Sequence, residues 1–425
     1  MIHQQEVCWG CYTYRLMGKQ LKVTERKRIF GLNPTIFFLG LVSFLTDVSS
    51  EMIFTLLPLF LANILGAAAV VIGFIEGVAE STASLLKIFS GWLSDRLGKR
   101  KSLAIIGYGL STLAKPFMYV ATTWGLVLGV RFADRLGKGV RTAPRDALVA
   151  DSVSAKQRGK AFGFHRAMDT SGAALGLVAA AAVVFLLQKG ALELARDTYQ
   201  WLVLIGIIPA VLALFVFFFV REAKKGSSPQ SQSECFGKSS QDTKASFDNR
   251  FKLFLGIMFL FTLGNSSDVF LILRAQNLGN CVLYILLMLV LFNIIYSTVS
   301  IPAGILSDKL GRRRIIVLGW LIYALTYLGF AVASASWQVW LLFALYGVYY
   351  GLAEGVARAF VADLVPEDRR GTAYGLFHGV VGIALLPASV IAGWLWQAIS
   401  PAAPFYFGAG LAFLAMIGLL ALVRE

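Results

Sequence analysis

Gly91-Trp92-Leu93-Ser94-Asp95-Arg96-Leu97-Gly98-Lys99-Arg100-Lys101 returns 213 residues later as Gly304-Ile305-Leu306-Ser307-Asp308-Lys309-Leu310-Gly311-Arg312-Arg313-Arg314. In each copy a long apolar block runs into the motif and another follows it. A short basic loop between two such blocks, written twice, is the mark of a duplicated membrane bundle rather than of a soluble domain. Outward from the motif the repetition continues at an offset of 212 residues. Val149-Ala150-Asp151 with Arg158-Gly159-Lys160-Ala161-Phe162-Gly163 matches Val361-Ala362-Asp363 with Arg370-Gly371-Thr372-Ala373-Tyr374-Gly375. The first and seventh blocks share Ser49-Ser50-Glu51 and Ser266-Ser267-Asp268.

Composition agrees. Of 425 residues, 57% are hydrophobic and 15% charged, whereas soluble domains carry about 25% charged residues. A bilayer core takes roughly 20 helical residues. Segments of that length fall at 36–62, 70–92, 102–121, 124–147, 160–187 and 199–220, then at 252–274, 281–306, 314–334, 337–362, 372–397 and 403–423. The expected fold is therefore an all-α polytopic membrane protein with twelve transmembrane helices in two pseudo-symmetric six-helix bundles. Its parts are a polar basic tail (1–33), an N-terminal bundle (34–220), a flexible linker (221–250) and a C-terminal bundle (251–425). The linker is rich in Ser, Gly, Asp and Lys and lacks the apolar residues a fold needs.

The 39 Lys and Arg against 24 Asp and Glu give a net charge of +15. The basic residues sit in alternate loops: Arg96, Lys99, Arg100 and Lys101; Lys156, Arg158 and Lys160; Lys309, Arg312, Arg313 and Arg314; Arg369 and Arg370. The other loops hold Lys189, Arg196 and Arg274. The positive-inside rule then places both termini in the cytoplasm of a multi-pass inner (plasma) membrane protein and removes nucleic acid as the reason for the charge. No secretory signal is read in the polar tail, where Met17 is a second candidate start. Cys8 and Cys11 lack the context of a redox or metal site.

Parallel six-helix repeats commonly build a transporter with its site near the midplane. The doubled loop resembles the signature of the major facilitator superfamily, over residues 34–425. Arg135-Leu136-Gly137-Lys138-Gly139 is similar to that family's helix-4 motif, departing from it where Arg141 stands. The surrounding text, Asp134 to Asp146, resembles a poorly characterised bacterial permease branch. The resemblance implies a cavity lined by helices 1, 4, 7 and 10, which brings in Asp268, Glu354 and Arg358. It also implies a cytoplasmic gate built from Gly91, Asp95, Arg96, Gly98, Lys99, Arg100 and Asp151, with Gly304, Asp308, Gly311 and Arg312 as the second copy. Asp95 there clamps the closed face together with Lys99, Arg100 and Asp151.

An ionised side chain at the bilayer centre costs at least ~2.5 kcal/mol, so it needs a partner, a wet cavity or a task. Asp47 and Glu51 share a face of the first span, four residues apart. Glu76, Glu80 and Lys87 lie on the second, and Arg131, Asp134, Arg135 and Lys138 on the fourth. Asp47 lies about 20 Å from one end of its helix and Arg131 about 10 Å from the other end of its own, by the 1.5 Å rise per residue. Antiparallel packing would bring them to one depth, which predicts an Asp47–Arg131 or Glu51–Arg131 pair. Glu76, Glu80 and Lys87 are equally able to pair within their own helix. Asp47, Glu51 and Asp134 are the expected proton carriers, and Arg131 and Arg135 the expected contacts for a polar or anionic group. Arg141, Arg145 and Asp146 are expected in solvent or at a gate.

His165 and Asp169 share a face, either as a proton relay or as a histidine set in a helix interface. Gly371, Gly375 and Gly379 around His378, and Gly159, Gly163, Gly172 and Gly176, are expected to let helices approach closely.

The chain has no phosphate-binding Gly-x-x-x-x-Gly-Lys-Ser/Thr, no Gly-x-Ser-x-Gly and no His-Glu-x-x-His, and holds three histidines. ATP hydrolysis, serine hydrolysis and zinc catalysis are therefore not expected, nor is any cofactor. The reading is a secondary transporter, not an enzyme, that moves a small solute with protons, acts as a monomer and leans to efflux. Import of an anionic nutrient or metal chelate, or solute sensing without transport, are the alternatives.

Overall fold

The computed structural model describes residues 33–97, 99–152, 158–188, 190–220, 247–265, 267–366 and 370–422, and it leaves out the side chains of residues 95, 158–160 and 370–372. Cys8, Cys11, Met17 and nearly all of the linker lie outside the described residues. The chain forms α1 (Pro34–Phe54), α2 (Leu57–Leu59), α3 (Ala69–Leu97), α4 (Arg100–Ala114), α5 (Trp124–Asp151), α6 (Arg158–Gln188) and α7 (Arg196–Phe217). It continues with α8 (Asn249–Gly264), α9 (Val269–Asn277), α10 (Val282–Leu310), α11 (Arg312–Val332), α12 (Ser336–Asp363), α13 (Arg370–Ala398) and α14 (Ala403–Leu422).

Local chemistry explains several ends. Asn33 precedes Pro34, and its side chain accepts from the Thr35 N–H at 3.0 Å, an N-cap with proline at the first helical position. Thr123 caps α5 through the Leu126 N–H. Gly311 stands at φ +94 between α10 and α11, a backbone state that favours glycine and allows the sharp turn inside the second copy of the motif.

Among the described residues, ten helical rods are long and apolar enough to cross a membrane. The expected third and fourth spans fall outside that group for different reasons. α4 has 15 residues before a 3-10 turn, Lys115–Met118, takes over. α5 has 28 residues but carries Arg131, Asp134, Arg135, Lys138, Arg141, Arg145 and Asp146. The innermost of these turn away from lipid: Arg131 is 5% and Asp134 4% exposed.

Helices α1 and α3–α7 pack on one another, and α8 and α10–α14 do likewise. The two groups meet along α3 with α13 and along α6 with α10. One face of the molecule carries the basic motif loops. On the other face, loop carbonyls hold Arg196, which donates to Ala121 O at 2.6 Å, and Arg274, which donates to Phe330 O and Ala333 O at 3.0 Å. Both of these arginines are thus used to cap backbone.

The α3–α13 seam is graded. Near the sparse face, a Cβ on Gly73 would overlap the Ser389 carbonyl, and one on Gly393 would lie 2.6 Å from Ala69 O. Ser81 Oγ donates to Gly382 O at 2.6 Å in mid-span. Further on, a Cβ at Gly379 would meet Ile88 at an ordinary 3.5 Å, and one at Gly375 would meet nothing described within 4 Å. The close approach expected at Gly375 and Gly379 is therefore found one to five turns along, at Gly382 and Gly393. Gly172 and Gly176 do press on α1, against Phe44 and Val48.

The core divides accordingly. A large apolar cluster joins both groups near the sparse face and includes Phe60, Ile72 and Phe270. Toward the basic face a separate cluster, including Leu39, Tyr108, Leu148 and Phe217, belongs to the first group alone. Among the described residues the two groups touch closely toward the sparse face, where Gln276 also donates to Leu192 O at 2.8 Å, and more loosely toward the basic one.

Candidate functional site

Between the two groups lies a cavity of about 590 Å³ lined by seven carboxylates and five basic side chains. Its first wall is ionic. Arg131 of α5 clamps Glu76 of α3 with two parallel bonds, Nε to Oε1 at 3.0 Å and Nη2 to Oε2 at 2.8 Å, and both side chains are nearly buried. This bidentate form is the strong geometry for an arginine and a carboxylate. Arg131 also lies 3.9 Å from Glu80 and 4.0 Å from Asp134, with its guanidinium over the Phe54 ring at 4.7 Å. Arg135, one turn on, pairs with Glu80 at 2.9 Å.

The expected partnership of Arg131 with Asp47 or Glu51 is thereby corrected. α5 packs along α3, where Ser90 donates to Gly139 O at 2.8 Å, and Arg131 lies level with Phe54 of α1, whereas the cations that act on Asp47 are Lys138 and Arg141 further along α5. Pairing of Glu76 and Glu80 with Lys87 inside α3 is corrected for the same reason. Glu51 instead accepts from the Thr55 hydroxyl at 2.6 Å. Asp47 and Lys138 line the cavity, and among the described residues neither side chain has a hydrogen bond or ion pair. Arg141, expected in solvent or at a gate, is not in solvent: it is 5% exposed and lies over the Tyr108 ring at 4.5 Å. Arg145 pairs with Asp146 at 2.9 Å and donates to Ser43.

Behind this wall stands Lys115, fully buried, donating to Ser49 at 2.8 Å and Ser50 at 3.1 Å. Ser111 donates to Asp134 Oδ1 at 2.8 Å. Sequence reasoning passed over Lys115, although a lone lysine within an apolar span is a signal in its own right.

The second wall is aromatic. The seventh span breaks at Asn265, and Asp268 stands at the start of α9, exposed to the cavity. Irregular backbone at such depth is tolerated where it lines a cavity. Tyr346 donates to Asp268 Oδ1 at 2.6 Å, and Tyr350 contacts Oδ2 at 3.4 Å. Tyr349, Tyr350, Phe292, Phe261 and Trp320 line the same side. The run Tyr346-Gly-Val-Tyr349-Tyr350 has helical spacing and was legible as one face, but sequence reasoning did not single it out. Glu354 pairs with Arg358 one turn on and accepts from Tyr296, which in turn receives a bond from Arg166 of the first group at 3.3 Å.

His378 lines the cavity. His165 does not: it sits 4% exposed between α6 and α1, with Nε2 3.0 Å from the Ser43 hydroxyl and Nδ1 3.6 Å from Asp169. That is the setting of a helix-interface histidine.

At the basic face, Arg100 pairs with Asp151. In the second group, Arg312 pairs with both Asp363 and Asp308. The next residue in each copy caps the last helix of its own group: Lys101 donates to Val220 O at 2.5 Å, and Arg313 to Leu419 O at 3.2 Å. The side chain of Asp95, and Gly98, lie outside the described residues. Among the described residues no cluster of three or more His, Cys, Asp or Glu has the arrangement of a metal site.

The sequence matches the pattern of the Major Facilitator Superfamily over residues 39–273 and 253–425. It is 38% identical to an uncharacterised MFS-type transporter of Methanocaldococcus jannaschii over 395 residues, covering 92% of this chain and 95% of that one. An uncharacterised protein of Mycobacterium tuberculosis is 27% identical over 85% of the chain and 86% of its own length. Among solved structures, a nucleoside transporter superimposes with a TM-score of 0.74 at 13% identity, over 92% of this chain and all of that one. That last likeness is one of fold. The chain belongs to the Major Facilitator Superfamily, and it is a multi-pass membrane transporter.

Proposed function

We propose that this member of the Major Facilitator Superfamily is a secondary active transporter that moves a small solute by alternating access and couples it to protons. The supporting observation is the cavity itself, walled by both helix groups, which touch closely toward one face and more loosely toward the other. A binding site of that form needs the two groups only to rock about it to change the side it serves. Placing the basic loops in the cytoplasm makes this the inward-facing state of a twelve-span inner-membrane protein with both termini cytoplasmic. The bodies that rock are residues 34–220 and 251–425, joined by the linker.

Asp47 carries the coupling. It faces the cavity with no fixed partner, so a proton or a solute can neutralise it. Glu76 and Asp134 are engaged with Arg131 and Ser111 and hold the wall in shape. Arg100–Asp151 and Arg312–Asp363 set the loops that close the basic face. The excess of carboxylates over cations around the cavity favours exchange of a solute against incoming protons, and hence export.

A second reading, import of an anionic nutrient or chelate, has the uncommitted ammonium of Lys138 in its favour. Proteoliposomes containing a pH-sensitive dye separate the two. Under exchange, adding a transported solute acidifies or alkalises the lumen according to the solute gradient, and Asp47→Asn abolishes that proton movement while solute binding persists. Proton movement unchanged in Asp47→Asn would contradict the assignment. Solute binding with no flux in any variant would leave a sensor.

A further inference from the structure

Asp268 differs from the carboxylates that build the ionic wall. Glu76, Glu80 and Asp134 lie beside arginines. Asp268 has no basic partner among the described residues, and its hydrogen bonds come from the hydroxyls of Tyr346 and Tyr350. The strongest charge–charge interactions on it come from Glu80 and Glu354, which are carboxylates too. A carboxylate left without a cation in a membrane-spanning cavity is a vacant half of an ion pair.

Its surroundings define what would fill the other half. Tyr350 stands at 90° to Phe292, with centroids 5.3 Å apart, and at 73° to Tyr349, at 5.1 Å. All three rings line the cavity beside Asp268. In these edge-to-face contacts the edge of one ring covers part of its neighbour's face, and the surface that borders the cavity is what remains for a ligand; ring faces are negative. Asn265 adds a buried amide oxygen with no hydrogen-bond partner among the described residues. Carboxylate, ring faces and carbonyl oxygen all favour a positive charge of low hydration, and none favours an anion.

We propose that Asp268 with Tyr349, Tyr350 and Phe292 forms a binding box for an organic ammonium cation. This rests on the transporter reading and names its solute class: an apolar or aromatic body bearing a quaternary or protonated nitrogen. The tyrosine hydroxyls hold the carboxylate in place, and the cation exchanges hydration for ring faces and one charge.

The test uses the full chain in lipid nanodiscs and three probes of one ring size: benzyltrimethylammonium, benzenesulfonate and benzyl alcohol. Binding is followed by calorimetry, with the summed tryptophan emission, to which Trp320 of the cavity contributes, as a second readout. The permanent charge of the first probe makes it independent of buffer pH. The cation should bind and the anion and alcohol should not, a result that needs no variant. Asp268→Asn and Tyr350→Leu should each weaken it about tenfold or more, whereas Tyr350→Phe, which keeps the ring face, should stay within a few-fold of wild type. Equal or better binding of the sulfonate, no binding of the cation, or unchanged affinity in Asp268→Asn overturns the box. Because binding is read without flux, a chain that binds the cation but never moves it refutes the transporter reading alone. A chain that moves other solutes while ignoring the cation refutes only the box.

Discussion

Glu76 and Arg131 show what a buried charge pair does to a membrane helix bundle. Together they hold α3 on α5, and each makes the other tolerable away from water. Removing one partner strands the other, at a cost of about 3–5 kcal/mol for a fully buried pair, whereas removing both leaves no orphan. Glu76→Gln should therefore lower the melting temperature of the purified protein sharply, and Glu76→Gln with Arg131→Met should recover much of the loss. Equal losses in the single and double variants would mean that the pair is not the unit of stability. Asp47→Asn should behave oppositely, melting near wild type while losing proton movement, because Asp47 has no bonded partner to abandon. Sequence alone could flag both groups, since charge inside a span is costly wherever it falls. It could not assign the partner. Helical rise counts residues along one helix, but which helix stands beside α5, and at what offset, is a property of the packed bundle.

At the scale of the helix, the proposed change of state falls on the seam of α3 with α13. Their contact tightens toward the sparse face, where glycines bring backbone against side chain and carbonyl, and opens toward the basic face. A side chain at the tight end should pry it apart. Gly73→Val should shift the protein toward the state open on the sparse face, read as increased labelling of a cysteine placed at Asn63 by a membrane-impermeant maleimide. Gly375→Ala, whose Cβ enters open space, should leave that labelling unchanged. No shift in Gly73→Val would show that the seam does not gate. Glycine spacing in the sequence announced close helix contacts but misplaced those of α13, because spacing names a face of one helix and not the residue it meets on another. The doubled motif was more informative. Its repetition foretold two loops of one design, and Arg100–Asp151 with Lys101, and Arg312–Asp363 with Arg313, repeat the same contacts. Charge reversal at one pair, Arg100→Asp, should disturb transport, and adding Asp151→Arg should restore part of it, as measured by flux in proteoliposomes.

For the whole molecule, the repeated text, the basic loops and the apolar blocks carried the fold, and membership of the Major Facilitator Superfamily agrees with them. The third and fourth spans were drawn from segment length, and they depart from the other ten because α4 is short and α5 turns its polar side chains toward a cavity instead of toward lipid. What the sequence could not convey is the asymmetry of that cavity, ionic on one wall and tyrosine-lined on the other. Side chains far apart in the chain meet there only after both groups have folded. The central claim is that the groups rock about this cavity, and the direct measurement is a pair of spin-label distances by pulsed electron resonance. In a chain with its native cysteines replaced, labels at Trp92 and Leu376 report the basic face, and labels at Leu192 and Asn277 report the sparse one. Across acidic and alkaline buffer, with and without benzyltrimethylammonium, each pair should show a short and a long distance whose populations change in opposite directions at the two faces. A single unchanging distance at both faces under every condition would contradict alternating access.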